Sequence, residues 1–404
     1  MLMADDIIKI NEETIETEDG AKVIDGIEQE DHTKEEVITT PFSPSDIKIS
    51  NPPMNMGDLI DMLSFGWINL QTEYQREMNL WSPVQQSRLI ESVLLGLRLP
   101  AFYFEVVDKH NWNIIDGLQR CCAIKNFCVD EILTLEGLEF LDNFNGKTFE
   151  DFRFDTKRDI RMLPITVNLL EKGVPDQVKY ILFKRLNTGG IELTSQEIRN
   201  AVFNGPVIDL VRDMAQEPSF TLATDHRVPT KRHVDMDFVS RFIAFYWLDF
   251  ENYEPDLDSY INKSMADIRD NGTESRVEKM RRDFRSAMKL AYDIFGNRAF
   301  RKQQKRDEYR RPLNKAYFEV IASRFALLDE EKQRKLLDHK ELFVDNLHTA
   351  MRESFTYRNS FSGGTGNRDA VRWRFTSFNK ILDMTCQGET IRVTDDNKIE
   401  SIQL

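Results

Sequence analysis

Cysteine is scarce in this sequence: Cys121, Cys122, Cys128 and Cys386 are the only four thiols in 404 residues. None forms a CxxC pair, and three crowd into one short segment. That pattern excludes a regular disulfide framework and a zinc knuckle. It reads as small buried core residues, with a redox role as the alternative because two of the thiols directly follow Arg120. Long apolar runs are also missing; none approaches the roughly 20 residues that cross a bilayer. The first residues carry acids where a secretory leader has a basic start and an apolar core, so a cytoplasmic location without membrane contact is expected. Neither HExxH nor a GxxxxGK[ST] phosphate loop occurs. Gly363-Gly364-Thr365-Gly366 lacks the lysine of such a loop and reads as a mobile connection.

What is present is a globular balance, 41% hydrophobic and 30% charged, in a chain long enough for two domains. The net charge of −14 argues against wholesale coating of DNA, but it hides a polarity along the chain. Residues 1–40 hold 13 acids against 3 bases, whereas residues 269–315 hold 15 Lys/Arg against 7 Asp/Glu. The acidic start, poor in aromatics and without clear periodicity, reads as a disordered or loosely attached arm over residues 1–45. In the basic stretch, Arg281, Arg282 and Arg285 sit at helical spacing. They are candidate DNA-phosphate contacts, or else a solvated face with internal pairs such as Glu278–Arg282.

Helical periodicity is read over Met56–Ile68, and over Pro83–Leu95 with proline in the first turn. Ala101–Val107 and Trp112–Ile115 are rich in aromatic and β-branched residues and suit a hairpin. A helix over Leu118–Phe127 follows, then a strand over Leu163–Leu170 and a helix over Asp176–Leu186. Another helix, Thr194–Phe203, is opened by a capping box of Thr194 and Glu197. Helices are also read over Val234–Phe250, Thr273–Phe295, Asn314–Leu328 and Glu330–Met351. The class is α+β: an α/β domain over residues 46–225, a helical domain over 226–390 and a tail over 391–404.

Asn113-Ile114-Ile115-Asp116-Gly117-Leu118-Gln119-Arg120 carries the most chemical information. A strand runs out, glycine turns, and a helix begins; unpaired amides at a helix start attract anions, and the helix dipole adds to this. Gly117 lets a phosphate approach, Arg120 can offer a guanidinium fork, and Asp116 can hold a divalent metal or orient a water. The other reading is an Asx-turn joining strand to helix, with Arg120 in an ordinary pair. A second stretch comprises Tyr74-Gln75-Arg76, Trp81 and Gln85-Gln86. It reads equally as a polar loop and a solvated helix face. The third, Phe183-Lys184-Arg185-Leu186-Asn187-Thr188-Gly189-Gly190 and then Glu197-Ile198-Arg199-Asn200, reads equally as a helix-turn-helix corner.

In this order, Tyr-Gln-Arg, Trp, Leu89-Ile90-Glu91-Ser92, Pro100, Asp-Gly-Leu-Gln-Arg, Phe-Lys-Arg-Leu-Asn-Thr-Gly-Gly and Leu-Thr-Ser-Gln-Glu-Ile-Arg-Asn-Ala resemble the GmrSD N-terminal domain family. The likeness covers about residues 55–215. It implies a fold like the ParB and sulfiredoxin domains, nucleoside triphosphate binding, hydrolysis in some members, and service in restriction-type defence. Carried over by motif, Asp116, Gln119, Arg120 and Asn187 are the implied catalytic residues. Gln75, Arg76, Gly117, Arg120 and Arg185 are the implied nucleotide-binding residues, and a divalent ion such as Mg is expected at Asp116. Leu118 stands where many members have glutamine, which leaves hydrolysis less supported than binding.

Many relatives also carry a nuclease domain with a His-Asn-His metal site. The six histidines here are His32, His110, His226, His233, His339 and His348, and they form no such pattern. A separately encoded nuclease partner accounts for that. Three functions follow as expectations: a nucleoside triphosphatase gating a defence response, a nucleotide- or DNA-sensing module without turnover, and a DNA nuclease with an unrecognised site.

Overall fold

The computed structural model describes residues 15–16, 22–30, 48–70, 81–186 and 193–402. Gln75, Arg76 and Asn187 lie outside these described residues, as do the rest of residues 1–45 and His32. The chain divides into two compact units, Thr40–Val202 on one side and Met1–Thr39 with Phe203–Leu404 on the other.

The chain opens with a three-stranded sheet of β1 (Ile15–Glu16), β2 (Lys22–Ile24) and β3 (Ile27–Glu28), antiparallel throughout. Asp25 and Gly26 turn the β2–β3 hairpin, both with positive φ (52° and 78°). An Asp-Gly pair favours a two-residue hairpin turn. The hairpin is stitched to the second unit's own chain: Glu28 N–H donates to the Leu313 carbonyl (2.9 Å), and Leu313 N–H donates to the Gly26 carbonyl (3.0 Å). Residues 22–30 are therefore not a loose acidic arm. The acids read as solvated include Glu28, only 3% exposed and paired with Lys302 at 2.6 Å.

The unit Thr40–Val202 is built on a five-stranded mixed sheet. Its elements in chain order are β4 (Ile49–Ser50), β5 (Met54–Asn55), α1 (Met56–Ser64), β6 (Ile68–Asn69), α2 (Pro83–Leu94), β7 (Phe102–Asp108), β8 (Asn111–Asp116), α3 (Leu118–Cys128), α4 (Phe154–Met162), β9 (Pro164–Ile165), β10 (Val167–Leu170), α5 (Asp176–Leu186) and α6 (Ser195–Val202). The strand order is β4-β10-β7-β8-β6, with β10–β7 and β8–β6 parallel and the other pairs antiparallel; β5 and β9 pair separately. Alternation along β7 turns Phe102 and Phe104 into the core, where they meet Ile114 of β8 and Cys121, Ile124 and Phe127 of α3. A fully buried phenylalanine contributes about 1.5–3 kcal/mol relative to an exposed one, so this aromatic seam anchors the β8–α3 junction. Two helices are capped as their sequences direct. Ser82 and Gln85 form a capping box ahead of Pro83 on α2, and Thr194 and Glu197 form one on α6. Leu163–Leu170, read as one strand, is split into β9 and β10 because Ile165 and Val167 pair with different neighbours.

The second unit is mostly helical: α7 (Pro206–Ala215), α8 (Pro218–Ala223), α9 (Val234–Trp247), α10 (Leu257–Asn271), α11 (Glu274–Phe295), α12 (Lys315–Ala326), α13 (Glu330–Asp338), α14 (Lys340–Glu353), α15 (Phe355–Asn359) and α16 (Arg368–Cys386), followed by a hairpin of β11 (Thr390–Val393) and β12 (Ile399–Ile402). Helix α9 is buried on almost every side and carries Phe238 and Phe242 into an aromatic core with Phe220, Phe284 and Phe318, while Phe245 packs against Tyr253, Tyr260 and Phe375. A helix buried all round sits at the centre of a bundle, and its charged residues Asp237 and Arg241 are paired there. The tail read over residues 391–404 contributes the last hairpin. The Glu330–Met351 helix is broken at His339, which caps α13 at its C-terminus and α14 at its N-terminus. Gly363-Gly364-Thr365-Gly366 is a fixed turn and not a mobile one. Thr365 is 1% exposed and donates to Glu30 (2.8 Å), and its carbonyl accepts from Arg374 (2.6 Å).

Candidate functional site

Strand β8 delivers Asp116 to the sheet edge of the β8–α3 junction, where it pairs across β7 with Tyr103 beside a register shift. Gly117 follows with φ 105° and serves as the N-cap of α3. A Cβ at this position would stand 2.7 Å from Phe102 Cδ1 and 3.3 Å from Arg120 Nη2, so both conformation and space require glycine. Helix α3 begins at a glycine N-cap, which has no side chain to accept from its first-turn amides.

Arg120 is folded back over this turn. Its Nη2 reaches Asp116 Oδ2 at 2.7 Å and the Ala101 carbonyl at 3.2 Å, while Nη1 donates to the Pro100 carbonyl. The guanidinium carbon lies 4.6 Å from the centre of the Phe102 ring. With the side chain 11% exposed, Arg120 locks the strand end, the glycine turn and the Pro100–Phe102 segment together. The Asp116 carboxylate is 33% exposed. Burial raises its pKa; the Arg120 charge and the Gly117 amide pull it down without cancelling that effect.

Gln119 faces a different partner. Its Oε1 accepts from the Trp81 amide at 3.3 Å, and the Trp81 carbonyl in turn accepts from Gln86 Nε2 at 2.9 Å. Gln86 Oε1 accepts from Asn126 at 2.8 Å, which ties the start of α2 to both ends of α3. Two stretches that are 40 residues apart in sequence are thus one hydrogen-bonded assembly. Gln85 takes no part in it and is occupied as the capping-box partner of Ser82.

Leu118 belongs to the hydrophobic core and is 9% exposed. The position points inward, so an apolar residue there removes nothing from the polar face of the turn. The sequence argument that Leu118 weakens hydrolysis loses its basis. Cys121 and Cys122 are buried behind the turn and Cys128 lies at the end of α3, all in the core, and burial pushes the Cys128 thiol up to about 12. A redox role for these three has no support in such thiols.

In the third stretch, Arg185 is exposed near the end of α5. Glu197 is 2% exposed and spent on capping α6, and Arg199 is 1% exposed, bonded to Gln196 at 3.0 Å. These residues build the α6 corner. The feature that sequence reasoning passed over is Glu91 of α2, 3% exposed, whose carboxylate accepts the amides of Glu139 (3.1 Å), Phe140 (2.7 Å) and Leu141 (2.8 Å). It lies within the Leu-Ile-Glu-Ser stretch that carried part of the family resemblance. A charged residue beside Ile90 on the buried face of α2 was its signal.

Among the described residues, no group of three His, Cys, Asp or Glu side chains stands close enough to hold a metal ion. On α11, the candidate DNA contacts are largely engaged: Arg281 pairs with Asp213 (3.0 Å) and Glu278 (3.4 Å), and Arg285 with Glu217 (2.8 Å). Arg282 is exposed. The pair expected between Glu278 and Arg282 forms with Arg281 instead.

Residues 59–204 match the family model of the GmrSD restriction endonuclease, N-terminal domain. This segment belongs to the GmrSD N-terminal domain family. The match spans α1 to the residues just past α6 and includes the β8–α3 turn, so the chain carries a domain of restriction-type systems. Comparisons with curated proteins and with solved structures gave no match. No helix among the described residues is long and apolar enough to cross a membrane.

Proposed function

We propose that the GmrSD-type domain binds a nucleoside triphosphate at the β8–Gly117–α3 turn and hydrolyses it as part of a restriction-type defence response. The observation that carries this reading is the turn itself: a strand end, a left-handed glycine and an uncapped helix start beside a half-exposed carboxylate. Amides at an uncapped helix N-terminus suit phosphate. The ParB- and sulfiredoxin-like character implied by the motifs is part of the same proposal.

Within it, the residues take roles that differ from a simple phosphate clamp. The α3 amides receive the phosphates. Arg120, already bonded to two carbonyls and to Asp116, is a positioning residue that holds Gly117 and the carboxylate in place. Gln119 fixes the turn against Trp81. Asp116 is the group that orients the attacking water or receives the divalent ion that accompanies a triphosphate. Gln75, Arg76, Arg185 and Asn187 are the sequence-based candidates for the remaining phosphate and base contacts. The cleaving activity of the system is assigned to a separate partner chain.

The test is phosphate release across the four nucleoside triphosphates, with and without DNA, together with calorimetric binding. Asp116→Asn keeps shape and removes charge; it is expected to abolish turnover while weakening binding far less. Unaltered turnover in Asp116→Asn assigns the step to another group. Binding without turnover in the unmodified chain would favour the sensing module, a reading that also fits the engagement of Asp116 by Arg120.

A further inference from the structure

The helical unit contains a half-open cleft of about 240 Å³ between the C-terminal end of α11, the 298–306 segment, Tyr317 of α12 and one face of α14. Its walls differ in chemistry. Phe295, Val344 and Leu347 supply apolar surface, while Arg298 and Arg301 supply charge. Arg301 is 6% exposed, yet among the described residues its bonds run to backbone carbonyls, Nε to Asn297 (3.3 Å) and Nη1 to Arg311 (2.5 Å). Arg298 donates to the Glu308 carbonyl at 2.8 Å. Neither has a carboxylate partner among the described residues. Arg306, at the edge of the cleft, is by contrast neutralised by Glu341 and Asp345.

The neighbourhood deepens the charge imbalance. Arg310 and Arg227 also bear on Arg301, and the two share a single carboxylate, Asp225. Burial and these like charges depress the Arg301 pKa to about 10, against the opposing pull of Asp225. His348 closes the α14 side, and burial holds its pKa below the usual histidine value, which disfavours a further positive charge there. A buried guanidinium with no carboxylate in direct contact, and with a single nearby carboxylate shared among several arginines, is costly unless an anion completes it. Arginine forks match phosphate geometry, and pockets for small molecules combine such fixed polar groups with apolar walls.

We propose that this cleft binds a small aromatic phosphate, of the chemistry of a mononucleotide, with the phosphate on Arg298 and Arg301 and the ring against Phe295, Val344 and Leu347. The site is independent of the turn at Gly117 and would make the helical unit a second ligand-responsive element.

Calorimetry on the full chain with phenyl phosphate, AMP and inorganic phosphate tests it. Phenyl phosphate and AMP are expected to bind, and inorganic phosphate more weakly. Arg298→Ala, which removes a charge-assisted contact, and Val344→Trp, which fills the apolar half, should each weaken binding by about tenfold or more with little change in melting temperature. Arg298→Lys, retaining charge without the fork, should fall between wild type and Arg298→Ala. The proposal is overturned if neither aromatic phosphate binds, or if the folded variants keep wild-type affinity. Equal affinity for inorganic and phenyl phosphate would also overturn it, as would loss of AMP binding in Asp116→Asn with none in Arg298→Ala.

Discussion

Gly117 shows how much of the candidate site rests on one missing atom. Its φ of 105° lies where L-residues are strained, and the space a Cβ needs is filled by Phe102, itself fully buried. Gly117→Ala is therefore expected to lower stability by about 1–3 kcal/mol, from backbone strain and displacement of a core ring. Thermal melting would register it, and a melting temperature equal to wild type would mean that the turn relaxes freely. The neighbouring residues divide their labour by direction. Asp116 and Arg120 point to the polar side of the turn, Leu118 and Cys121 to the core. The hallmark residues Asp116, Gly117, Gln119 and Arg120 thus flank an inward-facing Leu118, an alternation imposed by a strand running into a helix.

At the scale of elements, α2 is held by charge as well as by apolar packing. Burial pushes the Glu91 pKa up, but three backbone amides and Arg88 outweigh it and hold the carboxyl below its ordinary value. A carboxylate whose pKa is depressed on folding contributes stability above its unfolded value, and that contribution is lost as pH falls through the folded value. Glu91→Gln should cost about 1–3 kcal/mol at neutral pH, because a neutral amide cannot accept all three bonds. The gap between wild type and variant should narrow as pH falls from about 5 to about 3. Denaturant titration at several pH values measures this; a gap independent of pH would assign the loss to packing.

For the molecule as a whole, charge is distributed by burial more than by sequence position. The acidic start read as a loose arm and the basic stretch as DNA contacts or a solvated face, yet a residue of each meets the other inside the second unit. Lys302 pairs with Glu28. Arg241 contacts both Glu30 and Glu319, and the fully buried Arg374 contacts Glu319. Removing one partner of a buried pair costs on the order of 3–5 kcal/mol, whereas an exposed pair is worth about 0–1 kcal/mol. Glu28→Ala should therefore destabilise the helical unit strongly, leaving Lys302, among the described residues, Ser362 (2.8 Å) as its side-chain partner. Glu400→Ala, which breaks an exposed pair with Arg392, should change little. Comparable melting shifts in the two variants would remove the distinction. Deleting residues 1–40 to expose a basic surface would likewise remove structural carboxylates along with the acidic segment.

Local pattern determined a good part of this chain. The hairpin at residues 101–116, the helix after Gly117, Asp176–Leu186, and α9, α11 and α12 follow from apolar periodicity, turn residues and caps, which act over a few residues. The Asp25-Gly26 hairpin was equally legible, but the surrounding acidity masked it. The α+β division and the GmrSD-type segment were readable from motifs in order. Sequence alone did not decide which polar groups are spent. Whether Arg120 is a free phosphate ligand or a lock depends on Pro100, Ala101 and Phe102 reaching it from another strand. Whether Glu28 is solvated depends on Lys302, far along the chain. Such pairings are set by the long-range packing that removes water from both partners, and only the tertiary structure brings those partners together.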